Sequence, residues 1–117
     1  MQKADEGSAF RRLVVWQKAM SVTKSIYLLA SSLPKEELFG LGNQMRRCVI
    51  SIPSTIAEGA KRGKKEFRQF LRIANGSAAE LETQLLLSYE LHAVPVDTAV
   101  HELREVQRML ESLIQKL

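Results

Sequence analysis

Residues 51–67 read SIPSTIAEGAKRGKKEF and join two amphipathic patterns through a basic turn. On the N-terminal side of the turn, the apolar phase carries on from Ile52 to Ile56 in spite of Pro53 between them. Proline lacks an amide donor and clashes with the carbonyl group four residues earlier. Because the phase is kept, we predict one helix that is kinked at Pro53 and ends near Ala60, over the alternative of two separate helices.

Apolar residues recur every three or four positions in four segments of the chain, as on one face of a helix. The predicted inward faces are Leu13, Trp16, Met20, Thr23, Tyr27 and Ala30; Leu41, Met45, Cys48, Ile52 and Ile56; Phe67, Phe70, Ala74, Ser77, Leu81, Leu85 and Ser88; and Val100, Leu103, Val106 or Gln107, Leu110, Leu113 or Ile114, and Leu117. No segment reads as a strand with turn signals. We therefore predict an all-α protein, an antiparallel up-down four-helix bundle of residues 10–117 behind a flexible N-terminal tail of residues 1–9.

Several local signals mark the ends and contacts of these helices. Leu33-Pro34 should end the first helix, because the residue before proline resists the helical conformation. Gly63 with Glu66 three residues later imitates a capping box before the third helix, and Asp97 is the expected cap of the fourth. Small residues cluster at 74–79. This cluster predicts that another backbone packs closely against the third helix there.

The charge is uneven along the chain, although the net charge is only +4. Residues 44–72 hold eight cations and two glutamates, a local net charge of +6, whereas residues 73–117 have a net charge of −4. Such a concentration attracts polyanions.

Cys48 is the single cysteine, so no intrachain disulfide is expected. The N-terminus lacks the apolar core of a signal peptide, and no run is long enough to span a membrane, so we expect a soluble, cytoplasmic protein.

The ordered set of short motifs resembles the four-helix bundle protein family, also called the 23S rRNA-intervening sequence protein family. The motifs are LVVWQKA at 13–19, QMRR at 44–47, SIPS at 51–54, IAEG at 56–59, EF at 66–67, FL at 70–71, ANGS at 74–77 and ELE at 80–82. Two positions depart from the family pattern. Thr55 stands where the family usually has asparagine, and Gly63 where it has a serine-like cap.

The resemblance implies a helical bundle that assembles into a homo-oligomeric ring, with five copies as the expected number. It also implies kinship with the accessory protein of diversity-generating retroelements, a basic ring that binds nucleic acid beside a reverse transcriptase. Some members are encoded inside intervening sequences of ribosomal RNA genes. No enzymatic activity is implied by the resemblance.

The residues themselves exclude the common catalytic arrangements. A nucleotide-binding phosphate loop follows a strand and reads GxxxxGK[ST], whereas Gly59 to Gly63 is one residue short and Lys65 replaces the hydroxyl residue. A di-iron bundle requires Glu-x-x-His motifs, which the sequence lacks. Four glutamates are expected to gather near the ends of the second and third helices: Glu58, Glu66, Glu80 and Glu82. Over the alternative of an enzymatic role, Glu58 and Glu66 are interpreted as partners that orient Arg46, Arg47, Arg62 or Lys65. We predict no catalytic residue, no metal and no cofactor.

The candidate site is a set of eight cations that is expected to bind nucleic acid. Its members are Arg46, Arg47, Lys61, Arg62, Lys64, Lys65, Arg68 and Arg72. Clustered ammonium and guanidinium groups bind phosphates, and no exposed aromatic residue stands among them for base stacking. We predict contacts to the backbone of RNA or DNA with little sequence reading. The alternative is a structural ring that docks an acidic protein partner through the same patch.

Self-association is also predicted from apolar residues outside the inward faces. These residues are Val14, Val15, Leu28, Leu29, Ile50, Leu86 and Leu87. Apolar side chains on a second face of a helix are typical of a partner surface. We therefore predict a homo-oligomer that assembles through some of them.

Overall fold

The computed structural model describes residues 8–117, and these form an all-α protein, as the sequence predicts. The four α-helices are α1 (Val14–Ala30), α2 (Leu41–Ala60), α3 (Lys64–His92) and α4 (Asp97–Lys116). Short 3-10 helices, Ala9–Arg12 and Lys35–Glu37, precede α1 and α2. Of the predicted tail, only Ser8 and Ala9 lie inside the described residues.

The four helices close into one bundle around a single core. Each helix packs against the next one along the chain, and α1 packs against α4. In the part of the chain that the structure describes, the diagonal pairs make no close backbone contact. Along the α2–α3 pair, Gly59 lies against Phe70 while Cys48 reaches Ser77, so these two helices run in opposite directions.

Helix α2 continues through Pro53 without interruption and ends at Ala60. The prediction of one helix through Pro53 is therefore confirmed, and the alternative of two separate helices is wrong. Pro53 is buried, and the nearby Ser51 hydroxyl donates a hydrogen bond of 2.6 Å to the Cys48 carbonyl. The bend at Pro53 and the full up-down order of the bundle stay predictions.

The predicted inward face of α1 is correct at Ala30, and Leu13 and Trp16 pack against the core, but its middle is wrong by one helical position. Met20 and Tyr27 are 38% and 42% exposed. The buried residues of α1 are Val15, Ala19, Val22, Ile26 and Ala30. Helix α1 carries two adjacent apolar stripes, and the stripe that contains the small residues Ala19 and Ala30 is the one that lies against the core.

The inward faces of the other three helices agree with the predicted spacing. Buried members of these faces are Met45, Cys48, Ile52, Ile56, Ala74, Leu81, Leu85, Ser88, Val100, Leu103, Val106 and Leu110. The predicted caps agree only in part. Gly63 is the N-cap of α3, but Asp97 is the first residue of α4 and makes no side-chain capping bond.

The small-residue cluster of α3 has two sides that behave differently. Ala74 and Ala78 are fully buried, and the Cys48 thiol approaches the Ser77 carbonyl oxygen to 3.1 Å, so α2 does pack closely there. Gly76, in contrast, is exposed, and a Cβ atom at this position would meet nothing within 4 Å. For Gly76 the predicted close approach is wrong within the described residues.

Gly59 is the glycine that the packing of α2 on α3 requires. A Cβ atom built on Gly59 would lie 2.5 Å from the Cβ atom of Phe70 and 3.2 Å from the Phe67 ring. The Cβ atom of Phe70 is attached directly to the backbone of α3 and cannot move away without shifting that helix. The α2–α3 distance at the turn is therefore set by the absence of a side chain at Gly59.

Glu37 ties together three separate parts of the bundle. Its Oε2 atom lies 2.6 Å from Nε2 of His92 at the end of α3, and its Oε1 atom accepts a hydrogen bond of 3.2 Å from the Leu41 amide at the start of α2. The hydrogen bond with His92, followed by the one with Leu41, lowers the pKa of Glu37 below its ordinary value of 4.5. Glu37 thus favours its charged form when the protein is folded.

We expect Gly59→Ala to destabilise the protein by about 1–3 kcal/mol, because the added methyl group overpacks the contact with Phe70. Gly76→Ala is the matched control and should stabilise by up to about 1 kcal/mol, because alanine is the better helix former and the site is open. Urea unfolding of both variants measures the difference. Equal effects of the two substitutions would contradict the account of the α2–α3 contact.

We expect part of the stability to be lost in acid through Glu37. Because its pKa is lowered by folding, its contribution is complete above pH 4.5, the ordinary value, and disappears as the pH falls through the lower folded-state value. Glu37→Gln should remove this contribution. The difference in unfolding free energy between wild type and Glu37→Gln should shrink from pH 7 to pH 3, and a constant difference would show that the tie is unimportant.

Candidate nucleic-acid interface

The turn between α2 and α3 presents a compact group of cations, which we call the basic patch. The basic patch consists of Lys61, Arg62, Lys64, Lys65, Arg68 and Arg72, all exposed. Backbone hydrogen bonds fix the turn on both sides: the Arg62 amide donates to the Gly59 carbonyl at 3.0 Å, and the Phe67 amide donates to the Gly63 carbonyl at 2.9 Å. Only residues 61–63 separate the two helices.

The first turns of α3 space the cations regularly. Lys64, Arg68 and Arg72 follow at intervals of four residues, which corresponds to about 6 Å along the helix axis per step. Lys65 lies on the neighbouring line of the same helix, and Gly63 leaves the turn open, because a Cβ atom there would meet nothing within 4 Å. The patch is therefore a basic ridge at one end of the bundle.

Two of the eight predicted site residues lie away from this ridge. Arg46 and Arg47 precede Lys61 by about four helical turns of α2, which places them roughly 21 Å away along the axis. Arg47 is exposed in a polar cleft between α2 and α3. Arg46 is half-buried beside the α1–α2 connection, and its buried Nη1 atom has no hydrogen-bond partner within residues 8–117.

Arg62 differs from the other cations of the basic patch in having partners. Its Nη1 atom lies 3.2 Å from Oε2 of Glu66, and its guanidinium carbon lies 4.9 Å from the centre of the Phe70 ring. Among the described residues, Lys61, Lys64, Lys65, Arg68 and Arg72 make no side-chain hydrogen bond or ion pair. Five cations of the patch thus face solvent without a counter-charge.

This placement opposes the electrostatics of α3. The N-terminus of a helix carries positive partial charge, so a cation in the first turn destabilises the helix by about 0.3–1 kcal/mol. Lys64 and Lys65 are the first two residues of α3, no side chain caps the helix, and Glu66 is the one acid in the first turn. The stability of α3 does not account for this cluster of cations.

The thiol of Cys48 lies in a buried environment that does not favour reactivity. Burial raises the pKa of the Cys48 thiol to about 11, with a further contribution from the Glu80 carboxylate, so the thiol stays protonated at neutral pH. Its Sγ donates to the Ser77 carbonyl. Cys48 is the small buried hydrophobic residue that the sequence predicts.

Three of the four glutamates that were expected to lie near one another have separate contacts, and Glu58 makes no side-chain hydrogen bond or ion pair within residues 8–117. Glu66 pairs with Arg62, Glu82 accepts bonds of 3.1 Å from Arg104 and Gln107, and Glu80 accepts one of 3.2 Å from Gln84. Over residues 8–117 no three His, Cys, Asp or Glu side chains are grouped so that they could hold a metal ion.

Two polar features were not anticipated from the sequence. Gln84 is only 8% exposed, and its Oε1 atom has no hydrogen-bond partner among the described residues. The cleft between Arg47 and Glu80, with a volume of about 400 Å³, lies near this glutamine and is lined by Gln44, Cys48 and Ser51. A polar residue on an otherwise apolar face was the available signal for Gln84.

Exposed apolar side chains form a second notable surface. Of the seven residues predicted to lie on second faces, Val14, Leu28, Ile50, Leu86 and Leu87 are exposed. Val15 is buried and Leu29 packs against the core, so these two predictions are wrong. An apolar groove of about 680 Å³ separates Tyr27 and Leu28 from Ile50, and Phe39 on the α1–α2 connection is 89% exposed.

These features define a class of small helical bundle with a basic turn between its second and third helices. A family model described as 23S rRNA-intervening sequence protein matches residues 11–113. The chain therefore belongs to the 23S rRNA-intervening sequence protein family. Within residues 8–117, no helix has an apolar stretch long enough to cross a membrane.

The fold is also similar to a solved structure. This is the crystal structure of a protein of unknown function from the S23 ribosomal protein family of Bacteroides thetaiotaomicron VPI-5482. The two proteins share 25% identity with a TM-score of 0.80, over 87% of this chain and 96% of that chain. No curated protein matches the chain.

Proposed function

We propose that this protein is a non-enzymatic four-helix bundle that binds the phosphate backbone of RNA or DNA through the basic patch. The observation that carries the proposal is the group of five exposed cations in the turn and the first turns of α3, which make no side-chain hydrogen bond or ion pair within residues 8–117. Their like charges repel one another, and Lys64 and Lys65 also oppose the helix dipole, so a polyanion that binds there relieves both effects. The family name, which refers to an intervening sequence of ribosomal RNA, is consistent with an RNA partner.

Recognition on this model depends on charge and shape. Phosphate contacts position a protein on nucleic acid but carry no sequence information. Two aromatic rings lie within residues 61–72. Phe67 is half-buried and packs against the core, and Phe70 is half-buried and covered by the Arg62 guanidinium, so neither offers a free face for a base. Binding should therefore depend on salt and tolerate changes of sequence.

Assembly is the second part of the proposal. The exposed apolar residues on α1, α2 and α3 favour contacts between copies of the chain, and stable interfaces bury roughly 800 Å² on each partner. A homo-oligomer with five copies would bring five basic patches into one assembly. Multiple patches on one nucleic acid raise the overall affinity without any new contact.

The triple variant Lys64→Glu, Lys65→Glu and Arg68→Glu should lose nucleic-acid binding. With single-stranded probes each neutralised phosphate contributes roughly −0.7 to the log–log salt slope, and with duplex DNA roughly −0.9, so loss of three contacts lowers the slope by about 2 to 3. The fold should be kept, because these side chains are exposed. Filter binding across a salt titration, with circular dichroism of the variant, measures both effects.

The matched control reverses Lys24, Lys35 and Lys116, which are exposed and lie outside the basic patch. It makes the same change in net charge and should weaken binding much less. Equal losses from the two triples would mean that attraction to the protein is diffuse. If wild type binds no RNA or DNA, the proposed function is wrong, and a structural ring that docks an acidic protein becomes the better hypothesis.

Sedimentation velocity at micromolar concentration should show an oligomer, with a pentamer expected. Leu28→Glu or Leu87→Glu should dissociate it, because each places a charge on an apolar surface that is 76% or 43% exposed in the single chain. Gln115→Glu, at an exposed position of α4 away from the exposed apolar residues of α1, α2 and α3, is the control. A monomeric wild type would rule out the assembly.

A further inference from the structure

Arg62 differs from the other cations of the basic patch because its guanidinium group contacts two side chains of α3. The guanidinium group rests on one face of the Phe70 ring at 4.9 Å, while its Nη1 atom lies 3.2 Å from the Glu66 carboxylate. These partners follow Arg62 at intervals of four and eight residues. The side chain of Arg62 therefore extends over the first two turns of α3, although the residue itself belongs to the turn between α2 and α3.

The ring on which Arg62 rests is itself held firmly. Phe70 packs against the backbone of Gly59, where there is no room for even a methyl group. The amide of Arg62 donates to the carbonyl of the same Gly59 at 3.0 Å. Gly59, Arg62 and Phe70 thus form a ring of contacts that spans the end of α2, the turn and the second turn of α3.

We propose that Arg62 is a positioning residue, which clamps the turn so that Lys61, Lys64 and Lys65 face solvent, and that it does not contact phosphate itself. The proposal rests on the proposed function. A phosphate at Arg62 would have to bind beside the Glu66 carboxylate, whose negative charge repels it, whereas the other five cations have no paired carboxylate within residues 8–117. The phosphate-contacting set is therefore Lys61, Lys64, Lys65, Arg68 and Arg72.

The guanidinium group is needed for the clamp because its planar shape stacks on the ring while its edge bonds the carboxylate. A lysine keeps the charge but cannot make both contacts in this geometry. The ion pair is exposed, with side-chain exposures of 47% and 60%, so its effect is modest. Loss of the clamp should weaken binding by about two- to fivefold, as expected for contacts of this strength.

The test compares Arg62 with Arg68, an exposed arginine of the same patch that has no partner. With a single-stranded DNA 20-mer as probe, Arg62→Lys should weaken binding about two- to fivefold, while Arg68→Lys should leave it nearly unchanged. Arg68→Gln should lower the salt slope by about 0.7, and Arg62→Gln should not. Equal behaviour of the two positions in both comparisons would overturn the positioning role.

A second measurement on the free protein separates this inference from the proposed function. Heteronuclear relaxation of the arginine Nε–H groups should show Arg62 immobile and Arg68 and Arg72 mobile. If Arg62 is as mobile as the other two, the clamp does not exist, whatever the protein binds. If wild type binds no nucleic acid, the proposed function and the role toward phosphate both fail, while an immobile Arg62 still establishes the clamp.

Discussion

The close contact between α2 and α3 at Gly59 is the constraint on which the rest of the structure depends. Gly59 has no side chain, so Phe70 packs directly on the backbone of α2 and the two helices are joined by only three residues. The same antiparallel pair places Cys48 against Ser77 and aligns the buried faces of both helices. A wider separation would loosen the core and the turn together.

The chemical character of the surface follows from this constraint. A short turn cannot bury its side chains, so the cations at 61–65 are forced into solvent at one end of the bundle. Helix α3 then extends the charge along its first turns through Arg68 and Arg72. Charge that is dense in the sequence is thereby arranged on the surface as a ridge with regular spacing.

Periodicity predicted most of the fold because burial in a bundle repeats with the turn of the helix. It identified the inward residues of α2, α3 and α4, such as Met45, Leu81 and Leu103. It failed on α1, where two apolar stripes lie side by side and spacing alone does not choose between them. Packing chose the stripe with Ala19, because small residues let α1 approach its neighbours.

The candidate site was predicted less completely than the fold, because cations that are close in the sequence lie far apart in the structure. Counting charge along the sequence grouped Arg46 and Arg47 with the turn, but α2 is one continuous helix that carries them to another part of the surface. The sequence also lacked any sign that Arg62 rests on Phe70, because the turn interrupts the helical register between them. Contacts across a turn depend on its conformation, which composition does not specify.

The most direct test of the central claim is a map of the surface that nucleic acid touches. Amide chemical shifts of isotope-labelled protein would be followed during titration with a single-stranded RNA oligonucleotide at low salt. The account predicts that the largest changes fall within residues 61–72 and that Arg46 and Arg47 change little. Changes centred on the cleft at Arg47, or spread evenly over the bundle, would contradict it.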